Sequence, residues 1–219
     1  MKDENKFWNK IAENYDAQSN ARFAKLYQDT IISARKYLNP SDIALDFACG
    51  TGLTTVPLAQ YVQKIYAIDT SDAMISIAKK KAQTLGASNI DFSVAEIFEE
   101  RFKESSFDVI MAFNVLHFFR DPKNVLARIL ALLKSGGIFL SATDCYRENR
   151  SLLTAVQPLV SRLGIIPYMK QYLFTGLKRI ISEGKFEILE AKNLYIPPDR
   201  LTAPNYFVAA RKPATSSNL

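Results

Sequence analysis

Along this chain, short unbroken apolar runs alternate with longer stretches whose apolar residues recur at helical spacing. The runs at Ile43–Phe47, Ile65–Asp69, Ile90–Val94, Phe107–Phe113 and Gly137–Thr143 lack a clean polar alternation, which predicts parallel strands covered on both faces. Helical patterns fall between them. Leu53–Val62 can hold Pro57 only within its first turn. Ser71–Leu85 opens on a Ser cap, carries Ala73, Ile77 and Ala78 on one stripe, and stops at Gly86. Asp121–Leu133 opens with Asp then Pro, a favoured cap and first-turn pair, and stops before "KSGG". Strand–helix–strand repetition with short connections predicts an α/β fold, a doubly wound parallel sheet with right-handed crossovers. The distal end differs: Phe186–Tyr195 and Asn205–Arg211 read as two strands joined by "PPDRLTAP", with no helix between them. They would add an antiparallel edge to the sheet.

Two regions lie outside that core. Residues 3–38 predict two amphipathic helices around "NYDAQSN", and residues 147–182, rich in Leu, Ile and Tyr, predict two helices broken near "GIIPY". The latter stretch is too long for a bare loop. The expected organisation is an N-terminal helical cap (1–39), a ligand-binding core (40–146), a helical lid (147–182), a C-terminal hairpin (183–212) and a frayed tail (213–219).

Composition narrows the function classes. With 219 residues, 48% hydrophobic and 23% charged, the chain suits one soluble globular domain. No apolar run approaches the ~20 residues of a membrane span, and "MKDENKFWNK" has no apolar signal core. Cys49 and Cys145 have no metal-ligand spacing, so no metal is expected, and the sparse cysteine suits a reducing, cytoplasmic compartment. The net charge of +6 is uneven: residues 1–143 carry 17 basic and 16 acidic residues, residues 144–219 carry 11 and 6. A basic distal segment suits an anionic substrate, peripheral contact with a membrane surface, or simply a solvated face. The run Lys79–Lys81 ends a predicted helix, where cations suit the dipole, and is not read as a nucleic-acid motif. The pattern carries no signal for oligomeric state.

Candidate chemistry concentrates in "ALDFACGTGLTT", Ala44 to Thr55. A strand ends in an acid, and a small-residue loop opens a helix. Glycine there costs backbone entropy, so something must approach that backbone closely. Ligands of open α/β sheets sit at the carboxyl ends of the strands. Asp69 ends the second strand, 23 residues after Asp46, where an acid can accept hydrogen bonds from a ribose diol. The pair suggests a nucleoside ligand across the first two strands. No lysine follows Gly52 as a phosphate-binding loop needs, and Thr55 stands where the dinucleotide pattern has its third glycine. What remains suits a zwitterionic amino-acid group better than a diphosphate. Taken singly, Asp46 serves equally as a cap for the turn, and Asp69 as a cap for the helix near Ser71.

"LDFACGTG", "YAIDTS", "FDVIMAFNVLHFF" and "LLKSGGIFL", in that order, resemble the class I S-adenosylmethionine-dependent methyltransferase family over residues 40–145. "FWNKIAENYD" is similar to the openings of its small-molecule members, including the quinone-biosynthesis branch. The resemblance implies a Rossmann-like, mostly parallel seven-stranded sheet with an antiparallel C-terminal strand. It implies S-adenosylmethionine as cofactor, S-adenosylhomocysteine as product, and a small apolar or aromatic methyl acceptor. It places the loop Ala48, Cys49, Gly50, Thr51 and Gly52 against the methionyl part, with Asp46 orienting its ammonium. Asp69 would hold both ribose hydroxyls, Thr70 and Met74 would flank adenine, Asn114 would lie near the sulfonium, and Tyr15 would lie over the cofactor. Two departures stand out. Ala48 replaces the first glycine of the usual triplet, and Val94 stands where the family has an acid for the adenine amino group, leaving Ala95 and Glu96 to serve there.

Methyl transfer is an in-line displacement that asks chiefly for positioning and exclusion of water, with a base only where the acceptor must lose a proton. His117, the sole histidine, follows the fourth strand and is the candidate base; its other reading is a packing histidine. Asp144 and Tyr146 are further acceptor contacts. The cap and lid should wall the acceptor pocket, the lid through Leu152, Leu153, Leu159, Ile165, Ile166, Tyr168, Tyr172 and Phe174. Two rivals remain: an RNA or protein methyltransferase, against which Asn114 is followed by Val115, Leu116 and His117 rather than an "NPPY"-type tetrapeptide, and a non-catalytic cofactor-binding protein.

Overall fold

The structure, a computed structural model, describes residues 2–148, 152–197 and 202–214. Seven strands form one sheet: β1 (Ile43–Phe47), β2 (Lys64–Asp69), β3 (Ile90–Val94), β4 (Phe107–Phe113), β5 (Leu133–Asp144), β6 (Glu187–Tyr195) and β7 (Asn205–Arg211), in the order β3-β2-β1-β4-β5-β7-β6. The β1–β2, β2–β3, β1–β4 and β4–β5 pairs are parallel, whereas β7 runs antiparallel to both β5 and β6. The C-terminal hairpin thus adds the expected antiparallel edge, with β7 as its reversed strand. That strand is inserted between β5 and β6, and β6 is the edge. The chain reaches β6 first and only then turns back into the gap beside β5.

The absence of alternation in the strands is explained by burial on both faces. Leu45, Ile68, Ile110 and Ala112 point to one side, packed with Val125, Leu126 and Ile129 of α4 (Pro122–Leu132) and Leu177 and Ile181 of α6 (Phe174–Glu183). Ala44, Ala67, Val109 and Met111 point to the other, packed with Val56 and Leu58 of α2 (Thr55–Leu58) and Ile75, Ala78 and Ala82 of α3 (Asp72–Thr84). The Val125, Leu126 and Ile129 side chains are fully enclosed, so truncating Ile129 to Ala should cost about 2–5 kcal/mol.

The cap signals act as read. The Ser71 hydroxyl accepts from the Met74 amide at 3.1 Å, and Asp121 accepts from the Lys123 and Asn124 amides at 3.2 and 3.3 Å. Three elements depart from expectation. The helix after the glycine loop is one short turn of α-helix, Thr55–Leu58, followed by a 3-10 turn, with Pro57 still inside the first turn. β5 begins at Leu133 rather than Gly137, because the "LKSGG" segment runs extended past β4 through a register shift. The N-terminal region forms one long helix, α1 (Lys2–Ala34), interrupted at Phe23 (φ −130°, ψ 16°), so "NYDAQSN" is helical and the break lies beyond it. The lid does contain two helices, α5 (Leu152–Arg162) and α6, with the break between them. Half of "PPDRLTAP" and most of the C-terminal tail fall outside the described residues, as do the side chains of Leu152 and Leu153.

The two halves of α1 grip different parts of the sheet. In the first half, Asn9 donates to Asp72 at 2.7 Å and accepts from Ser71 at the start of α3. In the second half, Phe23 meets the Tyr195 ring edge-on, and beyond α1 Tyr37 donates to Glu190 at 2.7 Å. The helix thereby bridges the carboxyl ends of the first strands and the hairpin.

Candidate active site

A cavity of about 490 Å³ opens at the carboxyl ends of β1, β2 and β4. Its floor is the loop after β1. Three residues of that loop hold left-handed backbone: Ala48 (φ 59°), Gly50 (φ 55°) and Gly52 (φ 76°). For Ala48 this costs about 1–2 kcal/mol, so the alanine strains the loop itself besides adding a methyl. A Cβ at Gly50 would meet nothing within 4 Å and would project into free space beside the cavity. The close approach inferred from the sequence is thus available at this backbone. Gly52 has a different reason: its Cβ would lie 3.3 Å from Ala78 and Val56, so its small size lets α3 pack on the loop.

Asp69 organises the loop. Its Oδ2 accepts from the Gly50 amide at 2.9 Å and its Oδ1 accepts from the Ser71 amide at 2.9 Å. Burial raises its pKa, and those amides, with that of Thr70, work against the rise by favouring the charged form. Each oxygen keeps a lone pair for a further donor. Asp46 is fully enclosed; burial pushes its pKa up to about 7, opposed by the Thr55 hydroxyl donating to Oδ2 at 2.6 Å and reinforced by the nearby Asp69 charge. Cys49 is buried, and burial raises its thiol well above the usual range. It is a poor nucleophile there.

Of the residues expected to contact a cofactor, Tyr15, Asp46, Ala48, Cys49, Gly50, Thr51, Asp69, Thr70, Met74, Ala95, Glu96 and Asn114 all border the cavity, and Gly52 does not. Val94 is 52% exposed and away from the lining, whereas Ala95 and Glu96 face it, the Ala95 amide being tied to the Asp69 carbonyl at 3.0 Å. Asn114 also holds left-handed backbone (φ 55°), and its side-chain oxygen accepts from Asn205 at 2.8 Å. Asn205, wholly buried on β7, donates at 2.7 Å to Asp144 as well.

The expected acceptor chemistry is only partly assembled. His117 is buried and is not a lining residue; burial lowers its pKa, and its Nδ1 has no hydrogen-bond partner among the described residues. The 3-10 turn Leu116–Phe118 turns Phe118, not His117, toward the cavity. Asp144 and Tyr146 likewise lie behind the lining, with the Tyr146 hydroxyl donating to Asp144 at 3.4 Å. No described residue of 147–182 borders the cavity, so the lid is a layer behind the wall rather than the wall. Tyr168 of that segment stacks under Arg120, and the Lys170 amide donates to the His117 carbonyl at 2.6 Å.

The wall comes from elsewhere. Trp8 and Phe118 meet edge to face at 5.1 Å, Phe47 and Phe119 tilt together at 5.6 Å, and Arg120 stands at the rim. Trp8 was visible in "FWNKIAENYD" only as part of a motif; nothing in the local pattern pointed its ring at Phe118. Asp16 was not singled out at all. It accepts from the Thr51 hydroxyl at 2.5 Å and pairs with Lys81 at 2.7 Å, fastening α1 to the glycine loop and to α3. Tyr15, beside it, shares a 3.3 Å hydrogen bond with Tyr27 and is buried, which raises its pKa and keeps it neutral.

Residues 45–141 match the model of the methyltransferase domain family. An uncharacterized methyltransferase, YcgJ of Bacillus subtilis (strain 168), is 30% identical over 70% of this chain, which spans 60% of that relative's length. A ubiquinone biosynthesis O-methyltransferase of Methylobacterium sp. (strain 4-46) is 26% identical over 82% of this chain and 78% of its own. Among solved structures, a geranyl diphosphate methyltransferase in complex with S-adenosylmethionine superposes with a TM-score of 0.70 at 15% identity, covering 91% of this chain and 90% of its own. At that identity the likeness is one of fold.

Proposed function

Because the chain belongs to the class I S-adenosylmethionine-dependent methyltransferase family, we propose that it carries a methyl group from S-adenosylmethionine to a small, largely apolar or aromatic acceptor. One observation carries the reading: the open Gly50 backbone and the Asp69 carboxylate border the same cavity as the aromatic wall of Trp8, Phe47, Phe118 and Phe119. The residues fit the cofactor. Asp69 would hold the ribose diol, Asp46 the ammonium, the amides from Ala48 to Thr51 the methionyl end, and Met74, Ala95 and Glu96 the base. When bound, the cofactor supplies a methyl group on a positively charged sulfur, already activated for displacement.

The chain's own task is then to orient and to exclude water. The aromatic wall presents flat apolar surface that desolvates an acceptor beside the loop. Asn114, held by Asn205, keeps a polar edge at the end of β4. The Asp16 clasp holds α1 over the loop, so that Trp8 and Tyr15 stay in the wall. Among the described residues, the proton acceptors that line the cavity are carboxylates, Asp46 and Glu96 among them, rather than a histidine or a lysine. Both cysteines are free thiols, which supports a reducing, cytoplasmic setting. Trp8 is the sole tryptophan and lines the cavity, so its emission reports occupancy directly. Titration with S-adenosylhomocysteine should quench or shift it saturably, and labelled S-adenosylmethionine should pass its methyl to one member of a panel of phenols, hydroquinones and isoprenoids. An absence of S-adenosylhomocysteine binding would defeat the proposal; binding without transfer to any acceptor would favour a non-catalytic role.

A further inference from the structure

The lid presents an apolar face that the cavity does not use. Among the described residues, five of the large exposed apolar side chains fall within one short stretch: Val156 (47% exposed), Leu159 (60%), Leu163 (66%), Ile165 (62%) and Leu173 (39%). Val156, Leu159 and Leu163 stand three and then four residues apart, hence on one helix face. The Leu163 amide still donates to the Leu159 carbonyl at 3.1 Å, so the helical path runs on past Arg162. This face is not outward for want of packing elsewhere. Gln157 is buried on the other side of α5, where Gln171 donates to it at 3.1 Å and it reaches the Met169 sulfur at 3.3 Å.

Charge identifies what the face meets. Residues 147–182 hold six basic side chains, Arg147, Arg150, Arg162, Lys170, Lys178 and Arg179, against the single acid Glu148. Nearly all of the net charge of +6 thus resides in this segment. An apolar row that ends on a cation, Arg162, within a segment of strong positive charge suits a helix that lies in the plane of an anionic bilayer surface. No helix among the described residues is long and apolar enough to cross a membrane. We propose that the outer face of α5 and the turn after it dock on anionic phospholipid, Val156, Leu159, Leu163 and Ile165 entering the interface while Arg162 meets headgroup phosphates and the positive charge of the segment draws it to the surface. The docked segment touches the rim of the cavity, since Tyr168 lies 4.3 Å beneath the Arg120 guanidinium and Lys170 is bonded to His117. An apolar acceptor dissolved in the bilayer would reach the site across that rim. That last link rests on the proposed transferase function; the docking itself does not.

The test is co-sedimentation of the whole protein with vesicles of mixed phosphatidylglycerol and phosphatidylcholine, against phosphatidylcholine alone. The protein should pellet with the anionic vesicles, less so as salt rises. The Leu159→Ser/Leu163→Ser variant should lose about tenfold in partitioning while keeping its S-adenosylhomocysteine affinity by Trp8 emission. Absence of pelleting, or pelleting untouched by the double change, overturns the docking. So does a wild-type dimer that the double variant dissolves, since the face would then belong to a second copy. Protein that binds S-adenosylhomocysteine but ignores vesicles leaves the transferase reading standing; protein that binds vesicles but not S-adenosylhomocysteine does the opposite.

Discussion

Asp46 gives the sharpest quantitative test of the site. It is a buried carboxylate at the border of the cavity, with the Thr55 hydroxyl as its hydrogen-bond donor. Burial lifts its pKa from the ordinary 3.8 to about 7. The folded state therefore keeps a proton that the unfolded chain releases between those two values. Below pH 3.8 both states are protonated and the group is neutral toward stability; as pH rises to 7 stability falls; above 7 the full penalty is present. At about 1.4 kcal/mol per tenfold, the penalty is about 4 kcal/mol. Asp46→Asn removes the titration and keeps an oxygen for Thr55. Urea unfolding should show the variant and the wild type alike near pH 4, and the variant more stable by about 4 kcal/mol at pH 8, or about 8–16 °C in Tm for a chain of this size. Other carboxylates cancel in the difference between the two proteins. The same change should weaken S-adenosylhomocysteine binding, because the ammonium would lose its counter-charge. Near pH 6 wild-type binding should release a proton, seen by calorimetry in buffers of different ionisation enthalpy. A difference in stability that stays flat within about 1 kcal/mol from pH 4 to pH 8 would refute the reasoning.

Three further outcomes follow from the same geometry. Asp69→Asn keeps one acceptor oxygen but turns an amide toward Gly50 or Ser71; S-adenosylhomocysteine should bind about 10- to 150-fold more weakly by Trp8 titration, from the ~1.5–3 kcal/mol of a hydrogen bond to a charged group, and an unchanged constant would mean the ribose is held elsewhere. Gly50→Ala and Gly52→Ala both pay about 1–2 kcal/mol for left-handed backbone, but only Gly50→Ala, at a lining position whose added methyl meets open space, should cut cofactor affinity beyond its effect on Tm; equal losses of affinity would sink the distinction. His117→Gln should lower Tm yet leave the shape of the pH–rate profile intact, because the imidazole does not face the cavity; loss of one limb of the profile would restore it as a base.

Much of the core was legible because it is local. The apolar runs fixed strand positions, Ser71 and Asp121 marked helix starts through bonds to amides two or three residues on, and Asp46, Gly50 and Asp69 announced themselves by standing at strand ends. Each of those signals is written within a few residues of where it acts. The remainder depends on partners far apart in the chain. Gly52 looked like part of the loop's cradle, yet its constraint comes from Ala78 across the α2–α3 packing. Asp16 acquires its role only when α1 lies over Thr51 and Lys81.

What the sequence determined by itself was the alternation of strands and helices and the ligand-ready loop after the first strand, because periodicity and backbone preference act over one or two turns of chain. Tertiary structure alone decided that β7 enters between β5 and β6, that Asn205 steadies Asn114, that His117 turns inward, and that the aromatic wall is built from α1, the end of β1 and the turn after β4 rather than from the lid. Those outcomes are settled by which buried surfaces and polar groups find one another once the sheet has formed, and such pairings leave no periodic trace in the order of residues.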